Sequence, residues 1–290
     1  MIVVTTPTGD IGGQVLAGLL DRGAPVRVIA RDPSRVPDGV DVVAGSHGNP
    51  DVVAKAFAGA DAVFWLAPPN FAATNVVESY VDFSRAAATL AAHGGQRVVA
   101  VSALGRGTPM AARAGMVSAS LAMDALFADA GVAYRSLALP SFMDNVKRQV
   151  VPIREHGVYR EPFPATHSAP TVATRDVAAT AVGLLLDSSW NGVGDVPLLG
   201  PADVTFEERA EVLSEVLGKP VRFERTPDDA HRAVLVSRGA SPAVADAIMD
   251  MVRAKREGGL DFGVTRTPAS ATPTTFRQWC EEVLRPLVSP

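Results

Sequence analysis

Thr5-Thr6-Pro7-Thr8-Gly9-Asp10-Ile11-Gly12-Gly13 is the stretch on which the fold turns. It follows a short apolar run, residues 2–5, and opens a pattern in which Ile11, Val15, Leu16, Leu19 and Leu20 share one face at 3.6 spacing before Gly23. A strand, a glycine-bearing turn and a helix, in that order, are the context a G-x-x-G-x-x-G fingerprint requires. The N–H groups and dipole at a helix start stabilise a pyrophosphate, and glycine lets the backbone approach it closely. Gly9 and Gly12 stand at the second and third glycine positions, and Thr6 stands at the first. Thr6, Thr8, Gly9, Asp10, Ile11 and Gly12 are therefore candidate dinucleotide contacts. On the motif alone, a purely structural turn remains open.

Outward from this turn, short Val- and Leu-rich runs alternate with helical stretches. Residues 2–5, 26–30, 40–44, 62–67, 97–102 and 133–139 read as strands covered on both faces. Helices are expected at 75–93, ended by Gly94-Gly95, and at 114–130. This alternation implies right-handed crossovers and an α/β fold, a Rossmann-type doubly wound parallel sheet with a smaller, mostly helical C-terminal region. A dinucleotide-binding domain is expected over 1–140, with 165–200 returning to it; 141–164 and 201–290 form the substrate side. Residues 140–170 hold five prolines and no clean period, so they read as a long loop with one short helix near 144–151. Beyond it, helices are expected at 177–187, 205–217, 228–237, 243–256 and 274–284, with a strand at 196–199.

The second strand ends in Ala30-Arg31-Asp32-Pro33-Ser34-Arg35. An acidic residue there binds the ribose 2′-hydroxyl of NADH, whereas arginine pairs with the 2′-phosphate of NADPH. Arg31 at the strand end and Arg35 one turn later favour NADPH, while Asp32 keeps NADH as the alternative.

Composition narrows the class. The chain has 290 residues, 47% hydrophobic and 20% charged, with a net charge of −4. Nothing resembles the basic stripe that displaces counterions from nucleic acid, so DNA and RNA are not expected as direct partners. A lone cysteine, Cys280, allows no internal disulfide and suits a reducing, cytoplasmic setting. The five histidines show no metal-ligand spacing, and no apolar run reaches the ~20 residues a membrane span needs. Oligomeric state is not legible.

The turn, Arg31, residues 62–69, 98–105 and 134–145 together resemble the NmrA-like branch of the atypical short-chain dehydrogenases. That branch typically shows T-G-A-T-G-x-x-G, an arginine after the second strand and an F-x-E-N-like element after the sixth. Here the last reads Ser141-Phe142-Met143-Asp144-Asn145. Ala169-Pro-Thr-Val-Ala-Thr-Arg-Asp176 and Leu199-Gly-Pro201 resemble later elements of the same branch. The resemblance implies a Rossmann fold, a nicotinamide cofactor and a substrate cleft between the sheet edge and the C-terminal region. Ala67 and Pro68, after the fourth strand, would border the nicotinamide.

The usual proton-transfer pair is missing. A short-chain dehydrogenase normally uses Tyr-x-x-x-Lys, the lysine lowering the phenol pKa. Four residues after Tyr80, Tyr134 and Tyr159 stand Ser84, Ala138 and Phe163, and no lysine lies between Lys55 and Lys147. Hydride transfer itself needs only a well-placed nicotinamide and acceptor. Ser102, at the C-terminal end of the fifth strand, is a candidate catalytic and cofactor residue, with a local hydrogen bond as its alternative role. Asn145 is a candidate for orienting a substrate carbonyl. His156 and His167 are loop histidines, and His47 reads as a turn residue. Phe71, Met110, Phe142, Met143 and Phe163, with Asn145, form a candidate apolar lining suited to a small aromatic carbonyl or quinone. Trp65, within a strand, reads as core. The expected function is an NADPH-dependent oxidoreductase, with a non-catalytic NADP(H) sensor, or a non-redox cyclisation or dehydration enzyme, as alternatives.

Overall fold

The computed structural model describes residues 1–260 and 264–288. Along the chain run β1 (Ile2–Thr5), α1 (Gly12–Leu20), β2 (Val26–Ala30), β3 (Asp41–Ala44), α2 (Pro50–Phe57), β4 (Ala62–Trp65), α3 (Val76–Gly94) and β5 (Arg97–Ala103). There follow α4 (Met116–Asp129), β6 (Tyr134–Leu139), β7 (Ser141–Phe142), α5 (Val150–His156), β8 (Val158–Glu161), β9 (Ser168–Val172) and α6 (Thr174–Leu186). The remainder is β10 (Val193–Pro197), β11 (Asp203–Thr205), α7 (Phe206–Leu217), β12 (Arg222–Arg225), α8 (Asp228–Ser237), α9 (Pro242–Arg256), α10 (Phe276–Trp279) and α11 (Arg285–Val288).

These elements divide into two compact units. Met1–Ala103, Val117–Ala138 and Val177–Val196 form one; Leu104–Met116, Leu139–Asp176 and Pro197–Pro290 form the other. The first unit holds a seven-stranded sheet in the order β10-β6-β5-β4-β1-β2-β3. β1 pairs in parallel with β2 and β4, β2 with β3, and β4 with β5. The order reverses at β1, so the fingerprint turn lies beside the switch point where such sheets bind ligands. This is the Rossmann-type architecture expected from the alternation of strands and helices.

The sequence reading differs from the structure in several places: strands β11 and β12 are not anticipated, and the strand expected at 196–199 is β10, Val193–Pro197. Helix α2 is not anticipated; at eight residues it is too short for periodicity to reveal. Its start is nonetheless written in Asn49, whose side chain accepts the Asp51 and Val52 N–H groups, and in Pro50 at the first helical position. Residues 140–170 contain β7, α5, β8 and β9 and a 3₁₀ segment at Met143–Gln149, where a long loop was expected. The prolines there are compatible with order because Pro152 sits in the first turn of α5, where its missing N–H has no intrahelical partner. The single helix expected at 274–284 is α10 followed by a π-helical turn, Cys280–Leu284, and α11.

In the first unit, Val3, Ile29, Val63, Trp65, Val98 and Ala100 bring strand residues into one core with Ala87, Met123 and Phe127 from the helices. The Trp65 ring is fully enclosed, and its Nε1–H donates to Ser84 Oγ of α3 at 3.1 Å. His47 joins the same cluster. Its ring meets those of Trp65 and Phe83 edge-on at 5.2 and 4.7 Å, and Nε2 lies 3.0 Å from the Leu66 carbonyl. A carbonyl only accepts, so Nε2 carries the proton and donates. The turn residue is thus a strut between the β3 and β4 ends.

The second unit has its own core, in which Phe163 stacks on Phe206 at 4.8 Å beside Tyr159, Met249 and Trp279. Its small sheets are β11-β9-β7 and β12-β8. β7 pairs in parallel with β9, Ser141 opposite Thr171 and Phe142 opposite Val172. The Ser141 carbonyl also accepts the Thr171 hydroxyl at 2.9 Å, which fixes the segment after β6.

Burial lowers the His47 pKa from 6.5 to about 4. In the unfolded chain the ring protonates near 6.5, so acidification favours unfolding until the folded ring also protonates. Folding stability is therefore expected to fall by about 3 kcal/mol between pH 6.5 and 4 from this group. His47→Phe should flatten that slope in urea melts recorded across the interval; an unchanged slope would show that His47 is charged in the fold.

Candidate active site

The turn after β1 departs from its consensus in sequence but not in shape. Thr6 has φ 51°, the left-handed conformation that glycine adopts without strain. A threonine thus takes the backbone geometry of the absent first glycine. Thr5, one residue earlier, ties the turn to the sheet: its Oγ1 donates to the Phe64 carbonyl and accepts the Leu66 N–H, both at 3.0 Å. The two glycines do different work. A Cβ on Gly12 would stand 2.2 Å from the Thr6 carbonyl oxygen and 2.8 Å from that of Thr5. Glycine is needed there for α1 to seat under the turn. A Cβ on exposed Gly9 would come no nearer than 3.4 Å, an ordinary contact. The protein leaves that space open on the outer side of the turn.

Three observations fit a pyrophosphate at this position. Helix α1 begins at Ile11 without a side-chain cap. Thr6 Oγ1 is enclosed and has no hydrogen-bond partner. Thr8, Gly9 and Asp10 are exposed around it, with Ile11 and Gly12 buried beneath. N–H groups at an uncapped helix start and an orphaned hydroxyl are donors suited to phosphate oxygens.

At the end of β2, Arg31 and Arg35 are both exposed, and neither forms an ion pair among the described residues. Asp32 is occupied by its own turn. Its carboxylate accepts the Ser34 N–H at 3.1 Å and the Ser34 hydroxyl at 2.6 Å, which holds its pKa below the usual range. Arg31 is near enough to His47 to disfavour its protonation. Ala67 is buried and Pro68 partly exposed at the end of β4.

Ser102 lies near the end of β5, 6% exposed, and its hydroxyl is committed. It donates to Asp124 Oδ2 of α4 at 2.6 Å; Ser136 donates to the same oxygen at 3.1 Å, and the Tyr134 hydroxyl to Oδ1 at 2.6 Å. Asp124 is 1% exposed. One buried carboxylate thus gathers three hydroxyls from β5 and β6, each hydrogen bond to a charge contributing roughly 1.5–3 kcal/mol. Neither the local backbone bond nor the free proton donor expected of Ser102 is what stands here. The signal for Asp124 in the sequence is a lone carboxylate in an otherwise apolar stretch of helix.

Tyr80 and Tyr159 are also poor acids. Burial pushes Tyr80 up to about 12, and raises Tyr159 still further. No lysine stands four residues after any of the three tyrosines.

The candidate lining residues divide. Met143 and Phe163 are enclosed in the core of the second unit, Phe163 stacked on Phe206 and His167, and so contribute packing rather than surface. Phe142, Met110 and Asn145 are partly exposed, and Phe71 is 50% exposed. The Asn145 side chain makes no hydrogen bond among the described residues, which leaves its amide available, although it is not buried as expected. Asp144 accepts the Thr174 N–H at 3.1 Å and pairs with Lys147 at 3.0 Å, holding the F-x-E-N-like element to the start of α6. His156 is exposed. Among the described residues no group of His, Cys, Asp or Glu could hold a metal ion, and no helix is long and apolar enough to cross a membrane.

Comparison with known proteins agrees with this geometry. Residues 7–188 match the model of a family described as NAD(P)H-binding. A (4-alkanoyl-5-oxo-2,5-dihydrofuran-3-yl)methyl phosphate reductase from Streptomyces griseus subsp. griseus is 33% identical over 297 residues, covering 97% of both chains. An NAD(P)H azoreductase from Xenophilus azovorans is 25% identical over 256 residues, covering 87% of this chain and 86% of its own. The crystal structure of an NADPH-dependent quinone oxidoreductase from Escherichia coli, complexed with NADPH, superposes with a TM-score of 0.78 at 22% identity, covering 98% and 99% of the two chains. The chain belongs to the NAD(P)H-binding family, in the NmrA-like, atypical short-chain dehydrogenase superfamily.

The turn geometry separates two effects that a motif treats alike. Gly12→Ala should destabilise the fold by about 1–3 kcal/mol or more, through overpacking against the turn carbonyls. Gly9→Ala should leave the melting temperature near that of the parent while weakening NADPH binding by about tenfold, a loss of roughly 1.4 kcal/mol. Thermal melts with and without cofactor measure both. Full affinity in Gly9→Ala would show that the open space is not where the phosphates lie.

Proposed function

We propose that this member of the NAD(P)H-binding family is a reductase that prefers NADPH and reduces small, electron-poor acceptors: quinones, aromatic carbonyls and conjugated carbonyls. The commitment of Ser102 and Tyr134 to Asp124 carries this reading. Their hydroxyl protons are already donated to a carboxylate. With no Tyr-x-x-x-Lys pair, the chain offers no strong acid to a developing alkoxide. An acceptor that spreads negative charge over a conjugated system tolerates this best, because its protonation by water can follow. The cofactor, when bound, supplies hydride; the protein supplies position. Thr6 and the start of α1 would hold the pyrophosphate, Arg31 and Arg35 the 2′-phosphate, and Ala67 and Pro68 the nicotinamide side. Met110, Phe142 and Asn145 of the second unit would receive the acceptor. The names of the relatives support the same class, since dihydrofuranone, azo and quinone substrates are all conjugated. The Streptomyces relative's substrate also bears a phosphate.

The test is NADPH oxidation against quinones, conjugated lactones and simple aliphatic ketones, with the first two classes reduced and the third not. Tight NADPH binding without turnover of any acceptor would replace the reductase by a cofactor sensor.

NADPH should bind about ten- to a hundredfold more tightly than NADH, since a charge-assisted hydrogen bond contributes on the order of 1.5–3 kcal/mol. Arg31→Ala should lose most of that preference; equal affinities in the parent protein would refute the assignment.

The tyrosines give an independent check on the proton source. Tyr80→Phe, Tyr134→Phe and Tyr159→Phe should each keep turnover within about tenfold, less than the 10²–10⁴ a general acid contributes. Tyr134→Phe removes a bond to Asp124 and is best assayed below its own melting range. A thousandfold loss in any of them, with cofactor binding intact, would restore a conventional acid.

A further inference from the structure

Lys255 sits in the last turn of α9 and is only 9% exposed. Lysine is almost never buried to that extent unless paired, because an ammonium leaving water loses its solvation. Its Nζ has one partner among the described residues, the Ser141 hydroxyl at 3.0 Å, and no carboxylate. An ammonium carries three donors, so two remain for another acceptor. Ser141 Oγ, accepting from Lys255, keeps its own O–H to donate. The Ser141 backbone is fixed by pairing with Thr171 and cannot follow the lysine elsewhere.

Met110, partly exposed, lies against the chain just after α9. A Cβ on Gly259 would stand 2.1 Å from Met110 Cγ, so that residue is small to admit the methionine. An apolar residue of the candidate acceptor lining thus packs on the chain four residues beyond the buried lysine. Phe142 follows Ser141 on β7, where successive side chains alternate faces, and is left out of this site.

We propose that Lys255 and Ser141 form the recognition point for an anionic group on the acceptor, a phosphate ester, sulfonate or carboxylate, with Met110 on the side of the attached conjugated body. This rests on the reductase reading for the identity of the ligand as an acceptor, but the anion site is testable without turnover. The counterion that Lys255 lacks among the described residues is then supplied by the substrate. The preference is for one anion per acceptor, held by charge-assisted hydrogen bonds that a neutral analogue cannot make.

The experiment pairs 9,10-anthraquinone with 9,10-anthraquinone-2-sulfonate, whose sulfonate is not displaced by amines, using the full chain saturated with NADP⁺ for binding and NADPH for turnover. The wild-type protein is expected to bind the sulfonate more tightly than the neutral quinone. K255M should cost the sulfonate at least tenfold more affinity than it costs the neutral quinone, mainly in KM rather than kcat, and K255R should restore most of the difference. Equal losses on both ligands would mean that Lys255 only supports the fold, and would overturn the proposal. Should K255M fail to fold, a wild-type preference for the neutral quinone would overturn it on its own. If neither quinone is turned over by the wild type, the reductase reading fails, while the calorimetric comparison of the two ligands still decides the anion site.

Discussion

The carbonyl groups of Thr5 and Thr6 pass so close to Gly12 that no side chain fits between them. Much of the first unit's functional geometry follows from that approach. It seats α1 directly beneath the turn and leaves its first N–H groups without a side-chain cap. Thr5 locks the same turn to β4 through Phe64 and Leu66. His47 then holds the Leu66 carbonyl from the β3 side. Three strand ends are therefore joined around a single backbone turn before any cofactor is considered. Helices α2, α3, α7 and α9 satisfy first-turn N–H groups with Asn, Thr or Ser side chains, and α1 does not.

A second constraint is electrostatic and lies in the core. Asp124 is a shared acceptor between helix and sheet. Three hydroxyls, from Ser102, Tyr134 and Ser136, satisfy one buried carboxylate and bind α4 to β5 and β6. A network of this kind is stable because every member has its partner; the same completeness removes its protons from catalysis. Under the reading proposed above, the chain gains rigidity at the strand ends and gives up a general acid. That exchange fits a reaction in which positioning dominates and the acceptor's own conjugation absorbs the charge.

The second unit shows the opposite arrangement. Among the described residues, the buried Lys255 ammonium meets one neutral hydroxyl. Two other cations of the same unit are matched. Arg256, the next residue, makes a two-pronged pair with Asp228, and Arg175 pairs with Glu282 and Thr274. The contrast between neighbours on one helix is what sets Lys255 apart from an ordinary surface lysine.

The sequence by itself determined the alternating strands and helices of the Rossmann half, the place of the glycine turn after β1, and the arginines after β2. These are local properties, carried by periodicity, glycine spacing and residues a few positions apart. It also showed that the Tyr-x-x-x-Lys pair is missing, since that pair has a fixed spacing on one helix. It did not reveal α2, whose eight residues hold too few turns for a pattern, nor the ordered segments among the prolines of 140–170. Tertiary structure alone decided that Met143 and Phe163 are core and that Phe142 is not, because burial depends on what packs from distant elements. It alone joined Ser102 to Asp124 across 22 positions, and Lys255 to Ser141 across 114. Contacts between residues so far apart leave no periodic trace in the chain; they exist only once folding has brought the elements together.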